Sequence, residues 1–205
     1  MPRPRMYRPV LVTPPALKPI TLAEAKAWLD IPYTNKDAVI TGLIAAATAH
    51  LDGWTGILGR CLCEQTWRQD FDRLNRCLRL PLAPVISITS VKYDDADGVE
   101  QTVSSGDYEL LNDDLGPYVR FKDAYSFPQV HDERPAVRVT YLAGYPNTGS
   151  EPDVTSTVPD DIKHAIALLV RHWFDNPTAV VVGVTAQSVP HAVDALLAPH
   201  RRIRF

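Results

Sequence analysis

The chain has 205 residues, 45% of them hydrophobic and 22% charged, which is the balance of an ordinary globular protein with its own core. The formal net charge of −3 is unevenly spread: residues 1–18 carry four cations, residues 199–205 carry three, and neither segment holds an acid, which leaves 14 cations against 24 acids between them. An acidic body without a basic helix disfavours direct nucleic-acid binding, and no apolar run reaches the length of a membrane span.

Two helices are predicted near the start of the sequence. The segment Thr21–Glu24 has the capping-box pattern, so a short helix is expected to begin there and to run to about Asp30. A second helix is expected from the start signal Thr34–Asp37 to the region of Gly53. Its apolar residues follow helical spacing: Ile40, Leu43, Ile44, Ala47, Leu51 and Trp54. The small residues at 45–47 would admit a close second helix, either from the same chain or from a neighbouring subunit.

From about residue 63 to residue 144 the apolar period changes from 3.6 to 2, which indicates strands. Six segments bounded by Pro, Gly and Asp show this alternation: 66–71, 78–80, 86–93, 108–111, 118–121 and 137–141. Asp94–Gly98 is the strongest hairpin signal, because an Asp-Gly pair accepts the positive φ of a tight turn. A calcium loop is a weaker interpretation of these acids, since they lack the spacing and the closing Glu of that motif.

The sequence after the strands returns to helix. Residues 146–158 are polar and rich in turn formers, which indicates a linker. Pro159 and the two following acids favour a helix start. The stripe that follows comprises Ile162, Ala165, Ile166, Leu169 and Trp173. The β-branched run at 180–184 is either a buried short strand or a loop against a neighbouring subunit, and a last helix is expected over 192–197.

This order of elements predicts an α+β protein: a small helical bundle with an inserted antiparallel β unit and extended N- and C-terminal arms. The helical segments are expected to meet, because each has only one apolar stripe to bury. The predicted parts are an N-terminal arm over residues 1–19, a bundle built from 20–60 and 158–198, the β unit over 61–145, a linker over 146–157 and a C-terminal docking tail over 199–205.

No catalytic motif is found in the sequence, so no enzyme activity, cofactor or metal site is predicted. His164 and His172 lie two turns apart on one helix and do not share a metal ion through that helix alone. The three cysteines, Cys61, Cys63 and Cys77, are an odd number without further ligands at metal-binding spacing. They are expected to be reduced thiols that act as small hydrophobic side chains.

Several phrases of the sequence, taken together, match the pattern of one known family. They are Leu11–Pro15, Ile20–Leu29, Leu43–Gly56, Gln65–Trp67, Leu80–Val85, Ile88–Tyr93, Val139–Tyr145, Val158–Asn176 and Val193–Arg201. Over nearly the whole chain they resemble the head-to-tail connector family, the adaptor proteins of long-tailed phages, prophages and gene transfer agents. The phrases are structural, so they identify the family better than they locate a site.

The resemblance implies a structural subunit of the phage neck, located in the virion at the head-tail interface and assembled in the cytoplasm of the bacterial host. It implies a ring of about a dozen copies of this chain that binds the portal protein and carries a head-closure (stopper) or tail-completion protein. DNA would pass through the lumen without specific binding, which suits an acidic wall that repels phosphate. No membrane is implied. The alternative is a β-rich attachment or baseplate module, which would not need helical stripes on both sides of the β unit.

The resemblance also assigns two interfaces. In such adaptors the C-terminal end reaches into the portal, so the expected portal-binding residues are Arg201, Arg202, Ile203, Arg204 and Phe205, with arginines pairing to portal carboxylates. His200 stands where relatives often carry an aromatic side chain; if this position packs in the portal, its contact would be weaker or sensitive to pH. A head-to-tail ring needs two complementary patches on each subunit. One is expected at Val180, Val181, Val182 and Val184, and the other on the β unit.

Overall fold

The computed structural model describes residues 4–132, 134–150, 154–176 and 191–202. The chain forms two compact units. The first unit comprises Met1–Ala16 and Cys63–Pro146, and the second comprises Leu17–Leu62 and Asn147–Phe205. Each unit is therefore built from two separate stretches of sequence, and the chain passes between the units three times. The predicted α+β class is confirmed.

The described residues form ten strands, all paired antiparallel. In chain order they are β1 (Val10–Thr13), β2 (Gln65–Phe71), β3 (Cys77–Arg79), β4 (Val85–Asp94), β5 (Glu100–Thr102), β6 (Tyr108–Asp113), β7 (Gly116–Phe121), β8 (Val137–Ala143), β9 (Asn147–Thr148) and β10 (Thr155–Ser156). The first unit holds a five-stranded sheet in the order β1-β2-β8-β4-β5 and a three-stranded sheet in the order β3-β7-β6. All six predicted strand segments overlap these strands, and only Leu80 of the segment 78–80 lies outside its strand.

Alternation along the central strands places the core of the first unit. In β8 every second residue is buried, from Val137 to Ala143, because successive side chains of a strand point to opposite faces. Val119 and Phe121 of β7 are fully buried in the same way. Burying one such side chain stabilises the fold by roughly 1.5–3 kcal/mol, so the period-2 pattern itself determines which face of each strand is covered.

The predicted Asp94–Gly98 turn is confirmed between β4 and β5. Oδ1 of Asp95 accepts hydrogen bonds from the amides of Asp97 at 3.1 Å and Val99 at 3.0 Å. Gly98 has a φ of 78°, which is the left-handed conformation that favours glycine. The turn thus depends on local side-chain chemistry that is readable in the sequence.

Four helices are described in the second unit: α1 (Leu22–Leu29), α2 (Asp37–Leu51), α3 (Asp160–Asp175) and α4 (His191–Leu197). The capping box of α1 is confirmed, since Oγ1 of Thr21 accepts from the Glu24 amide at 3.1 Å and Oε2 of Glu24 accepts from the Thr21 amide at 2.6 Å. Helix α3 packs against the other three helices. Its buried residues are Ile162, Ala165, Ile166, Ala167, Leu169 and Val170.

Two details of the helix predictions are wrong. Helix α2 has no side-chain cap: Thr34 contributes only its carbonyl, which accepts from the Asp37 amide in a turn. The helix also ends at Leu51, so Trp54 lies beyond its apolar stripe. The cause is the same at both ends, because polar and glycine residues next to a helix signal a boundary but do not fix its residue.

Three predictions outside the helices also need correction. Residues 10–13 of the predicted N-terminal arm form strand β1, and the predicted linker contains the short β9–β10 ribbon. Cys61 and Cys63 are buried as expected, but Cys77 is exposed because it lies on the outward face of β3. None of the three cysteines is in a disulfide.

Candidate docking surfaces

The last described residues of the sequence turn away from α4 through a short 3-10 helix at Ala198–His200. Val193 and Leu197 of α4 are buried, and α4 packs against α3. Pro199 lies at the start of the 3-10 turn, where its fixed φ suits the geometry. Residues 198–202, hereafter the tail base, therefore follow directly from a helix that is part of the core of the second unit.

Three contacts hold the tail base to the second unit. Nε of Arg60 donates to the carbonyl of His200 at 2.6 Å, and the amide of Arg202 donates to the carbonyl of Leu58 at 3.0 Å. Nε2 of His200 lies 2.5 Å from Oδ2 of Asp161, in the first turn of α3. The chain is thus fixed up to residue 202.

The electrostatics of Asp161 fit this arrangement. Burial by itself would raise the pKa of its carboxyl, but the hydrogen bonds from the His200 ring and from the Ile162 amide outweigh burial, and the pKa is lowered. Asp161 also lies in the first turn of α3, where the helix dipole favours a negative charge. The side chain of His200, only 18% exposed, is therefore engaged within its own subunit.

Of the five predicted portal-binding residues, two lie in the tail base and three lie outside the described residues. Nη2 of Arg201 lies 2.6 Å from Oδ1 of Asp194, but both side chains are about half exposed, and such surface pairs exchange partners at little cost. The backbone amide of Arg202 donates to the carbonyl of Leu58 and so helps to hold the tail base. Ile203, Arg204 and Phe205 lie outside the described residues, and so does the predicted subunit-interface run Val180, Val181, Val182 and Val184.

A second surface, which the sequence interpretation missed, is strand β1. It is an edge strand of the five-stranded sheet, yet Val10, Leu11 and Val12 are 43%, 43% and 52% exposed. The signal was present in the sequence as a short apolar, β-branched run bounded by Pro9 and Pro14. The basic residues around this run are typical of a solvated terminus, so local patterns predict an arm there and not a strand.

The segment before β1 is held to the end of β2 by polar contacts. The amide of Arg5 donates to Oδ1 of Asp72 at 2.8 Å, and the Asp72 amide donates to the Arg5 carbonyl at 3.2 Å. The amide of Tyr7 donates to the Asp70 carbonyl at 3.0 Å. Burial would raise the pKa of Asp72, but hydrogen bonds from Arg73 and from the Arg5 amide lower it below its usual range. The segment that leads into β1 is therefore anchored by a buried carboxylate, while β1 itself is held by its pairing with β2.

Two histidine rings of the second unit pack against aromatic side chains. His164 packs edge-to-face on Trp28 at 6.0 Å between ring centroids, and His50 packs on Trp173 at 6.4 Å. Within the described ranges, no three metal-ligating side chains are grouped to hold an ion. In the same ranges no helix has the length and apolar character needed to cross a bilayer.

Comparison with known proteins decides the family. A family model described as "Head completion protein" matches residues 18–203, which is most of the sequence. The chain belongs to the head completion protein family. This confirms the predicted membership of a phage head-to-tail connector family. No curated protein matches this chain at a significant level.

Solved structures show the same fold. A chain from the neck of an empty gene transfer agent (GTA) particle, computed with C6 symmetry, is 22% identical with a TM-score of 0.73. A chain from the virion of a native GTA particle is 22% identical with a TM-score of 0.72. A chain from the neck of a native GTA particle, computed with C12 symmetry, is 21% identical with a TM-score of 0.66. Each match covers 97% of both chains, so both units of this chain have counterparts in these structures.

Proposed function

We propose that this protein is a structural subunit of the virion neck, without enzyme activity, that assembles as a ring of about a dozen copies between the portal protein and the next neck or tail protein. DNA passes through the lumen of this ring without specific binding. The observation that carries the proposal is the family match over residues 18–203 together with the likeness to neck chains over 97% of their length.

Two further observations support the ring and its position. The related neck structures were computed with C6 and C12 symmetry, which are the symmetries of rings of six or twelve equivalent units. Outside its basic ends the chain carries 14 cations against 24 acids, so a lumen lined by such a surface repels phosphate and lets DNA slide. An acidic platform of this kind serves passage of DNA better than its retention.

The tail base supports portal docking by the last residues of the sequence. Contacts from Arg60, Leu58 and Asp161 fix the chain up to residue 202, the position that directly precedes the proposed docking residues 203–205 in the sequence. An anchored segment loses less conformational entropy on binding than a free one, which favours affinity. Within those residues Arg204 would pair with a portal carboxylate and Phe205 would fill an apolar pocket.

The test is a truncation that removes residues 203–205 and leaves the tail base complete. Starting at residue 203 matters, because removal of 200–202 would also break the contacts to Leu58, Arg60 and Asp161. A matched control deletes residues 2–4, which likewise removes three residues and one arginine. Binding to purified portal is measured by pull-down and by native mass spectrometry, with thermal unfolding as the check on folding.

The truncated protein is expected to keep its unfolding temperature and to lose portal binding, while the control binds as the full chain does. Equal portal binding by the truncated protein and the full chain would contradict docking through residues 203–205. Full-length protein that stays monomeric on purified portal would contradict the ring itself. A monomer without portal would not, since such a ring can require the portal as its template.

A further inference from the structure

Strand β1 presents an open, apolar edge. It pairs with β2 on one side, and no strand of the described chain pairs with its other side. Between Pro9 and Leu17 the sequence has no charged residue. Edge strands of soluble proteins are usually protected by charges, prolines or bulges, because their unpaired amides and carbonyls bind other strands. Here prolines bound the segment and a bulge lies between Leu11 and Thr13, but the four residues of β1 carry no charge.

The same sheet has a second open edge on its far side. Strand β4 pairs with β8 over Val85–Tyr93, with register shifts between Val85 and Ser87 and between Ile88 and Ser90, and β5 covers its outer side only over Lys92–Asp94. Among described residues, the β4 positions 85–90 therefore have no strand on that side. Ile86, Ser87 and Thr89 are exposed there. The open part of β4 is six residues long, which accommodates the four residues of β1.

We propose that β1 of one copy pairs antiparallel with the open edge of β4, residues 85–90, in the next copy of this chain. This inference rests on the proposed ring and names the contact that closes it. Two different edges of one sheet are a heterologous pair of patches, and repetition of such a contact generates a ring when the rotation closes. The five-stranded sheets of neighbouring subunits then continue into one another, and the exposed Val10, Leu11 and Val12 become buried.

Charge distribution favours a second copy as the occupant and sets the direction. Residues 4–16 carry Arg5 and Arg8 and no acid, while the hairpin at residues 94–100 carries four acids and no cation. Arg138 and Lys92 of the same subunit already pair with Asp94 and Glu100, so the attraction rests on Asp95 and Asp97, which are in no ion pair of the described chain. Antiparallel pairing places the start of β1 beside the end of β4, so the basic segment lies toward the acidic hairpin of the neighbour. Parallel pairing would place it at the opposite end of β4. Opposite charges at the two ends of a contact fix its register and suppress the reverse orientation.

The first experiment places a charge on the β1 edge of the full-length chain. Val12→Lys is compared with Leu115→Lys, because the two side chains are similarly exposed: Val12 is 52% exposed and Leu115 is 49% exposed. Leu115 lies in the β6–β7 turn of the other sheet, away from the proposed contact. Both variants are expected to fold, since neither side chain is buried. Ring formation on the portal is measured by native mass spectrometry, and portal binding of single subunits by pull-down at low protein concentration.

Val12→Lys is expected to lower ring yield about tenfold or more, because a lysine at a paired edge leaves a charge without a partner. Its binding to the portal as a single subunit should not change. Leu115→Lys should form rings in the same yield as the unmodified chain. Equal ring yields from the two variants would overturn the pairing but leave the proposed ring in place, whereas a full-length protein that forms no ring on the portal would overturn both.

A disulfide scan distinguishes the partner edge. In a Cys77→Ser background, Val12→Cys is combined in turn with single cysteines at positions 86–90, and rings are assembled on the portal and oxidised. Ladders of covalent oligomers are expected for at least one combination, and none for Val12→Cys paired with Leu115→Cys. Covalent dimers from Val12→Cys alone would show that β1 pairs with itself, and would overturn the pairing with β4.

Discussion

Gly144 directly follows β8 and occupies a position that no other residue fits. Its φ is 124°, a conformation that side-chain-bearing residues rarely adopt. An added Cβ would lie 2.1 Å from the carbonyl oxygen of Cys63, 2.4 Å from its carbonyl carbon and 2.8 Å from the amide nitrogen of Glu64. All three are backbone atoms, so no flexible side chain can swing aside to relieve the overlap.

The expected cost of Gly144→Ala follows from two effects. The unfavourable backbone conformation costs about 1–3 kcal/mol, and forcing the neighbouring backbone to shift costs about 1–3 kcal/mol more. Together they would lower the free energy of unfolding of the first unit by about 2–6 kcal/mol. Gly42→Ala is the matched control, because Gly42 lies within α2 and an added Cβ would meet nothing within 4 Å. It is expected to stabilise the second unit by up to about 1 kcal/mol.

The assay is urea denaturation of the full chain and both variants. It is followed by far-UV circular dichroism and by tryptophan fluorescence, to which the buried Trp67 of the first unit contributes. Gly144→Ala is expected to shift the fluorescence transition to lower urea, and Gly42→Ala to leave it in place or shift it slightly upward. If Gly144→Ala unfolds within about 1 kcal/mol of the unmodified chain, the close approach to Cys63 does not exist in solution.

Two further predictions concern the tail base and the smaller sheet. Arg60→Ala removes a charge-assisted hydrogen bond from the tail base, so the free energy of local opening should fall by about 1–2 kcal/mol. Hydrogen exchange at the Arg202 amide should then be about tenfold faster, and Arg60→Lys should restore part of the protection. Unchanged exchange in Arg60→Ala would count against the anchor. The hydrogen bond from Arg79 lowers the pKa of Asp113 from 3.8 to about 2, so the stability due to this pair is present above about pH 4 and is lost as the pH falls toward 2. Asp113→Asn should therefore reduce the acid dependence of the urea midpoint of the first unit between pH 6 and 2. The effect should be modest, because the Arg79 and Asp113 side chains are both about 40% exposed. Identical pH profiles for the variant and the unmodified chain would contradict a stabilising role of this ion pair.

Local signals in the sequence were enough to predict many elements. The Thr21–Glu24 capping box, the buried stripe of α3 and the Asp94–Gly98 turn each depend on residues within a few positions of one another. The same holds for the alternation of β8, whose burial follows directly from its sequence. A pattern of this kind is independent of what the rest of the chain does.

The features that the sequence did not predict depend on distant residues. Strand β1 exists because residues 10–13 pair with residues 66–68, and the Arg5 segment is held by Asp72. The tail base depends on Arg60, which is 140 positions before His200. Neither segment contains a periodic pattern or a cap that would indicate a partner so far away in the sequence. The local features that they do contain, β-branched residues beside prolines and cations beside a helix end, are common in solvated termini.

Because β1 precedes its partner strands in the sequence, it is synthesised before it can pair with them. The apolar edge leaves the ribosome first, but its partner strand follows about 50 residues later and β8, the next strand of the sheet, about 70 residues after that. At about 5–20 residues per second, the run Val10–Thr13 waits several seconds without its sheet. Pro9 and Pro14 flank the run, and we expect them to limit its pairing with other nascent chains during that interval. Substitution of these prolines should therefore reduce the yield of soluble protein more than it reduces the stability of the folded chain.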